Sequence, residues 1–186
     1  MITNDVLNSI TTWTEWAGKP ENNRYDIALL KIWIQFEKFI GDLFVTYSTG
    51  QQSEKGFSPN LKLRFVDEEQ LNIFLREGNH TYVDYPAQIK KLSKHIFSND
   101  PFDVLFADAT TYTAYNQIVS IRNYIAHESG EAKIKMIKTC FGGNESHFKE
   151  PNDYLLTKER STNSTYYTYY TNIIKNATLL LVDPPQ

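Results

Sequence analysis

Between Asn23 and Tyr47, large apolar side chains recur at three- and four-residue steps: Leu29, Trp33, Phe36, Ile40, Leu43 and Tyr47. That recurrence is the repeat of an α-helix. Ile32, Phe39 and Phe44 widen the stripe beyond what one neighbour covers, so the pattern predicts a central helix with partners on more than one side. A chain organised around such a helix is an all-α bundle, and 186 residues give one domain with a sizeable core.

The remaining segments fit that plan. Asn4 or Asp5 can cap a first helix to about Gly18, with Val6, Ile10, Trp13 and Ala17 on one face, and Gly18-Lys19-Pro20 ends it. Residues 50–60 read as a loop. Leu61 to Phe65 alternates apolar and charged residues, as a short strand or an extended lead-in does. Asp67 caps a helix through Glu77 with Leu71, Phe74 and Leu75 inward, and Pro86 sits in the first turn of another helix ending near Phe97. A turn at Asn99-Asp100-Pro101 leads into a long apolar-periodic segment from Asp103 to His127. Glu128-Ser129-Gly130 stops it, and a short helix over Ala132 to Thr139 follows. Phe141 to Asp153, with two adjacent glycines and a proline, reads as a mobile loop. In the tyrosine-rich tail, residues 164–181, Tyr166, Tyr170, Ile173, Ala177 and Leu180 fit a helix, although Thr and Tyr also favour strands at its start. The expected domain core spans about residues 23–140, with the tail packed on it.

Composition narrows the function classes. A net charge of −3 offers no overall basic field for nucleic acid, so any such site is a local patch. Two basic stretches, Lys90-Lys91 with Lys94-His95 and Lys133 with Lys135 and Lys138, read first as solvated helix faces. The lone Cys140 rules out an internal disulfide and a Cys-rich zinc site, and nothing near it in sequence activates it. His80, His95 and His147 show no zinc-ligand spacing, and no metal or cofactor is expected. Asp67-Glu68-Glu69 is most simply the acidic first turn of a helix, with metal ligation the remote alternative. Gly142-Gly143 lacks the flanking residues of a phosphate loop. The cluster Tyr166–Tyr170 can stack on bases or fill a core. The start of the chain has neither a basic stretch nor an apolar run, and no segment spans a membrane; a cytoplasmic protein without a membrane partner is expected.

The chemistry concentrates at Arg122-Asn123-Tyr124-Ile125-Ala126-His127. On a helical wheel Arg122 falls inside the arc of Tyr115, Ile118, Val119, Ile125 and Ala126, with Asn123 and His127 one turn apart on its flank. A guanidinium in an apolar stripe needs a partner or a substrate. One reading is structural: Arg122 pairs with Glu37 or Asp42 of the second helix, and His127 caps the helix end. The other is a site.

Arg122-Asn123, three residues, then His127 resembles the Arg-polar-spacer-His signature of HEPN domains. Ile121 to Ser129 is similar to that motif in stand-alone bacterial HEPN nucleases such as the RiboL-PSP-HEPN group, and Trp33 to Phe39 resembles their aromatic early helix. The likeness extends from about Ile27 to His127. It implies an all-α HEPN-type bundle that dimerises through the motif helices and cuts RNA without metal at a composite site. Arg122 would bind the scissile phosphate, His127 would act as general acid or base for attack by the ribose 2′-OH, and Asn123 would orient His127 or bond the phosphate. The products would carry a 2′,3′-cyclic phosphate and a 5′-hydroxyl. The implied setting is bacterial defence or toxin–antitoxin control, with RNA as substrate, a second copy as partner and an inhibitory or activating protein as a further one. Ser129 stands where toxins with a nucleotidyltransferase partner carry Tyr, which argues against adenylylation control. The alternative is a non-catalytic HEPN-like helical module for binding a protein partner.

Overall fold

The computed structural model describes residues 2–76, 85–106 and 108–184. Their architecture is all-α: α1 (Ile2–Ala17), α2 (Tyr25–Ser48), α3 (Glu68–Leu75), α4 (Tyr85–Ile96), α5 (Ala109–His127), α6 (Gly130–Cys140), α7 (Pro151–Leu156) and α8 (Tyr166–Val182). Short 3-10 turns lie at Pro101–Leu105 and Glu145–His147. Among the described residues, no helix is long and apolar enough to cross a membrane.

The broad stripe forms α2 and does what its width demands. Leu29, Ile32, Trp33, Phe36, Phe39, Ile40, Leu43, Phe44 and Tyr47 are all buried, and α1, α4, α5, α7 and α8 each pack on it. Fully burying one such side chain contributes about 1.5–3 kcal/mol, so this helix anchors the core. Gly41 is small for a reason: a Cβ there would stand 3.0 Å from the ring of Tyr85, so its absence lets the first turn of α4 lie against α2.

Several expectations shift. Helix α1 is already helical at Ile2, so Asn4 and Asp5 lie inside it and do not cap it. Its expected inward face holds: Val6 and Ala17 are buried, with Ile10 and Trp13 packed at the edge of the core. Asp67 caps α3 by accepting from Gln70 N at 2.9 Å, but Phe74 remains 48 % exposed, its ring against Phe65. The expected end at Glu77, like His80, lies outside the described residues. Leu61 makes a single antiparallel bridge to Phe97, so the alternating stretch is an extended lead-in.

The segment from Asp103 is two elements. Asp100 caps the turn Pro101–Leu105, and Asp108 starts α5 afresh by accepting from Thr111 N at 2.6 Å. The apolar run was continuous in sequence because Val104 and Leu105 pack on the core from the 3-10 turn. The stretch expected to be a mobile loop is built on aromatic rings. Phe148 packs on Tyr124 and Phe141, Phe141 packs on Tyr154, and α7 begins at Pro151.

Helix α8 buries Tyr167, Tyr170, Thr171, Ile174, Ala177, Thr178 and Leu181, whereas Leu180 is 40 % exposed. Its buried face is therefore turned from the expected one. Thr171 and Thr178 tolerate burial because their hydroxyls donate to the carbonyls of Tyr167 and Ile174, 3.0 and 2.8 Å away. The tail is tied to the bundle by Tyr47 Oη donating to Leu181 O at 2.8 Å and by a 2.8 Å bond between the hydroxyls of Thr14 and Tyr167.

Candidate functional site

Helix α5 has two polar faces with different fates. On the inner one, Ser120 is buried and shares a 2.6 Å hydrogen bond with Thr139 of α6, while Gln117 donates to Thr139 O at 3.3 Å and accepts from Tyr170 Oη at 3.1 Å. Tyr170 in turn bonds Tyr154 Oη at 3.0 Å. These groups clamp α6, α7 and α8 onto α5. Burial pushes the phenols of Tyr154 and Tyr170 and the thiol of Cys140 up from their ordinary values, so all three stay protonated near neutrality. Tyr154, Tyr167 and Tyr170 are buried and offer no free ring for stacking, whereas Tyr166 and Tyr169 are half-buried.

The outer face carries the motif. The buried residues of α5 are Ala114, Ile118, Ser120 and Ile121. The expected stripe through Tyr115, Val119 and Ile125 is only half-buried, and Ala126 is exposed. Packing by α6 turns the buried face toward Ser120 and Ile121, and Arg122 ends at its margin with 31 % of its side chain exposed. Its Nη2 donates to Glu37 Oε2 at 3.1 Å, and its Nη1 donates to Asn123 Oδ1 at 2.8 Å. Of the two carboxylates considered from sequence, Glu37 is the partner; Asp42 pairs instead with Lys38 at 3.3 Å.

His127 is exposed at the last position of α5. The chain turns sharply after it. Glu128 adopts a left-handed conformation (φ 46°) and its N–H closes on Tyr124 O at 2.8 Å. Ser129 then caps α6 by accepting from Ala132 N at 3.2 Å, so a serine two places after the histidine has a folding role of its own. Arg122 and Asn123 are brought into contact. His127 is not: its imidazole has no hydrogen-bond partner among the described residues, and Asn123 holds Arg122 instead.

Arg122 and Asn123 line an open cleft of about 730 Å³ between α2, α4, α5 and α6. Lys38, Lys90 and Lys135 line it as well, and Glu37 is the one carboxylate in its wall among the described residues. Lys90 and Lys135 come from the two basic stretches that read as solvated faces, and Lys38 belonged to neither. Nothing in the sequence linked them, because they meet only when α4 docks on α2 and α6 on α5. Lys90 Nζ donates to Tyr112 Oη at 2.7 Å and keeps that phenol below its ordinary value.

The other flank of α5 has the opposite character. A second cleft, of about 490 Å³, is lined by Asp26, Glu128 and Glu150 together with Arg24 and Tyr124. Arg24 is already held by Asp26 through two 2.9 Å bonds. Burial and then the Glu150 carboxylate raise the Tyr124 phenol. Among the described residues, no three His, Cys, Asp or Glu side chains are grouped to hold a metal ion. His95 and His147 remain separate, and Glu68 and Glu69 form the acidic first turn of α3.

Compared with protein-family models, with curated proteins and with solved structures, the chain shows no match.

Proposed function

We propose that the Arg122 cleft is an RNA-cleaving site, completed by a second copy of the chain and working by attack of the ribose 2′-OH on the adjacent phosphate. The observation that carries this reading is a half-exposed arginine opening onto a cleft with three lysines, with a histidine at the end of the same helix that has no hydrogen-bond partner among the described residues. Arg122 presents a planar fork suited to two phosphate oxygens, steadied by Asn123 and Glu37. A phosphate displaces Glu37 as the guanidinium's partner and supplies stronger charge. His127, without a hydrogen-bond partner among the described residues, takes the 2′-OH proton or delivers one to the leaving 5′-oxygen. The resemblance to HEPN motifs is why a second copy is invoked: two motif helices facing each other would bring the histidine of one to the arginine of the other. No metal is required by this chemistry. The expected products are a 2′,3′-cyclic phosphate and a 5′-hydroxyl, and the resemblance suggests a defence or toxin setting in the cytoplasm.

A second reading draws on the 3.1 Å Arg122–Glu37 pair, which already gives the guanidinium a partner. In that reading the chain is a non-catalytic helical module and its cleft binds a protein. Val119→Asp separates the two. Val119 is half-buried beside Arg122, so a charge there should break a motif-to-motif dimer and abolish cleavage in a folded monomer by light scattering. A variant that remains dimeric and active would rule out the composite site.

A further inference from the structure

We infer that the cleft bounded by Lys38, Lys90, Arg122 and Lys135 holds an unpaired stretch of nucleic acid by its phosphates, the three lysines engaging backbone charges that flank the one at Arg122. This rests on the reading of Arg122 as an RNA site and extends it to three residues that the motif does not contain.

The cations come from four helices, α2, α4, α5 and α6, and converge on one concavity. Lysines along a single helix are commonly just a solvated face, but convergence from separate elements concentrates positive potential in a chain whose net charge is −3. Their donors are largely unspent. Glu37 is taken by Arg122. Lys38 pairs with Asp42 at 3.3 Å with both side chains exposed, a contact easily exchanged. Lys90 bonds a phenol and not an anion, and Lys135 has no ion-pair partner among the described residues. The acidic cleft across α5, with Glu128 and Glu150, repels a polyanion and confines it to this flank.

Shape selects the strand type. A duplex keeps its phosphates on a rigid convex cylinder, whereas an unpaired strand can fold its backbone into a hollow and lay bases on aromatic rings. Tyr85 and Tyr115 supply such rings in the cleft wall. The rings also favour nucleic acid over an acidic peptide, whose carboxylates offer nothing to stack. Lys135 is held at its place by the Ser120–Thr139 and Gln117–Thr139 bonds that fix α6 on α5, and Tyr85 by the bare backbone of Gly41.

The test uses the full chain and a labelled, fully 2′-O-methylated oligonucleotide, which has no 2′-hydroxyl to attack and so reports binding apart from cutting. Fluorescence anisotropy across a salt titration should show Lys38→Gln/Lys90→Gln/Lys135→Gln binding on the order of 10- to 100-fold more weakly at about 0.1 M salt, with a log–log salt slope shallower by roughly 2. All three lysines are exposed, so its thermal melt should match the wild type. A control that removes the same charge elsewhere, Lys19→Gln/Lys158→Gln/Lys175→Gln, should stay within about twofold. Equal losses in both triple variants would reduce the effect to net charge and overturn the inference. So would a matched duplex binding as tightly as the strand, polyglutamate displacing the strand at equal charge, or a wild type that fails to bind the strand. A wild type that cuts RNA but does not bind this probe in the cleft would overturn the inference alone. Tight, lysine-dependent binding without any cutting would support it while removing the nuclease reading.

Discussion

The inner and outer polar faces of α5 make an instructive pair. Gln117 and Ser120 face inward, and besides a local bond from Ser120 Oγ to Gln117 O they reach other helices: Thr139 on α6 and Tyr170 on α8. Arg122, Asn123 and His127 face outward: Arg122 is bonded to Asn123 and Glu37, and the His127 imidazole to nothing among the described residues. The same helix thus carries one set of polar groups spent on assembly and another with capacity left over. The difference teaches where to look for function. A buried polar group with its partners complete rigidifies the fold, whereas a cation at the rim of the core, with exposed neighbours of like charge, is poised for an anion from outside.

Substitutions can break or sharpen that contrast. The largest effect is expected on the outer face. Arg122→Lys keeps the charge but loses the planar fork, and cleavage should fall by roughly 100-fold or more while the melting curve stays put. Wild-type cleavage by this variant would remove Arg122 from the site. On the inner face the signs reverse. Tyr170→Phe leaves Gln117 Oε1 and Tyr154 Oη short of a buried partner, and urea unfolding should show a loss of about 1–3 kcal/mol with cleavage unchanged. If Tyr170→Phe were instead inactive at full stability, the two faces would not be separate. The smallest effect falls on the contact between the core and the outer face. Glu37→Gln keeps an acceptor for Arg122 and removes a partly exposed ion pair, so it should destabilise by about 1 kcal/mol or less and leave cleavage intact. A loss of about 3–5 kcal/mol would instead mark Arg122–Glu37 as a buried structural pair, as the binding-module reading requires.

How far these faces could be read from sequence depended on how many neighbours each helix has. Helix α2 was legible almost to the residue, because a stripe from Leu29 to Tyr47 with no polar interruption admits one orientation. Helix α8 was legible as a helix but not in phase. Tyrosines and leucines surround it, and the two threonines that turn inward, Thr171 and Thr178, hide their polarity in local carbonyl bonds. Helix α5 departs from its sequence pattern in both its start and its buried face. Its start was placed too early because Asp108 makes a second capping site after Asp100. Its buried arc was placed too far toward Arg122 because α6 packs over Ser120. A carboxylate partner on the central helix was readable, though not which of Glu37 and Asp42 it is, and the lysines of the cleft were not. Lys38, Lys90 and Lys135 are far apart in sequence and share no spacing, and only the docking of α4 and α6 joins them.

The central claim, that the outer face of α5 performs RNA cleavage, is tested most directly by a gel assay of the purified protein on bulk RNA with excess EDTA, beside His127→Ala. His127 is exposed and makes no internal hydrogen bond among the described residues, so its removal should leave stability unchanged. The account predicts cleavage that survives EDTA and falls by on the order of 100- to 10,000-fold in the variant. Intact RNA with a folded, dimeric wild type, or cleavage by His127→Ala at the wild-type rate, would contradict it.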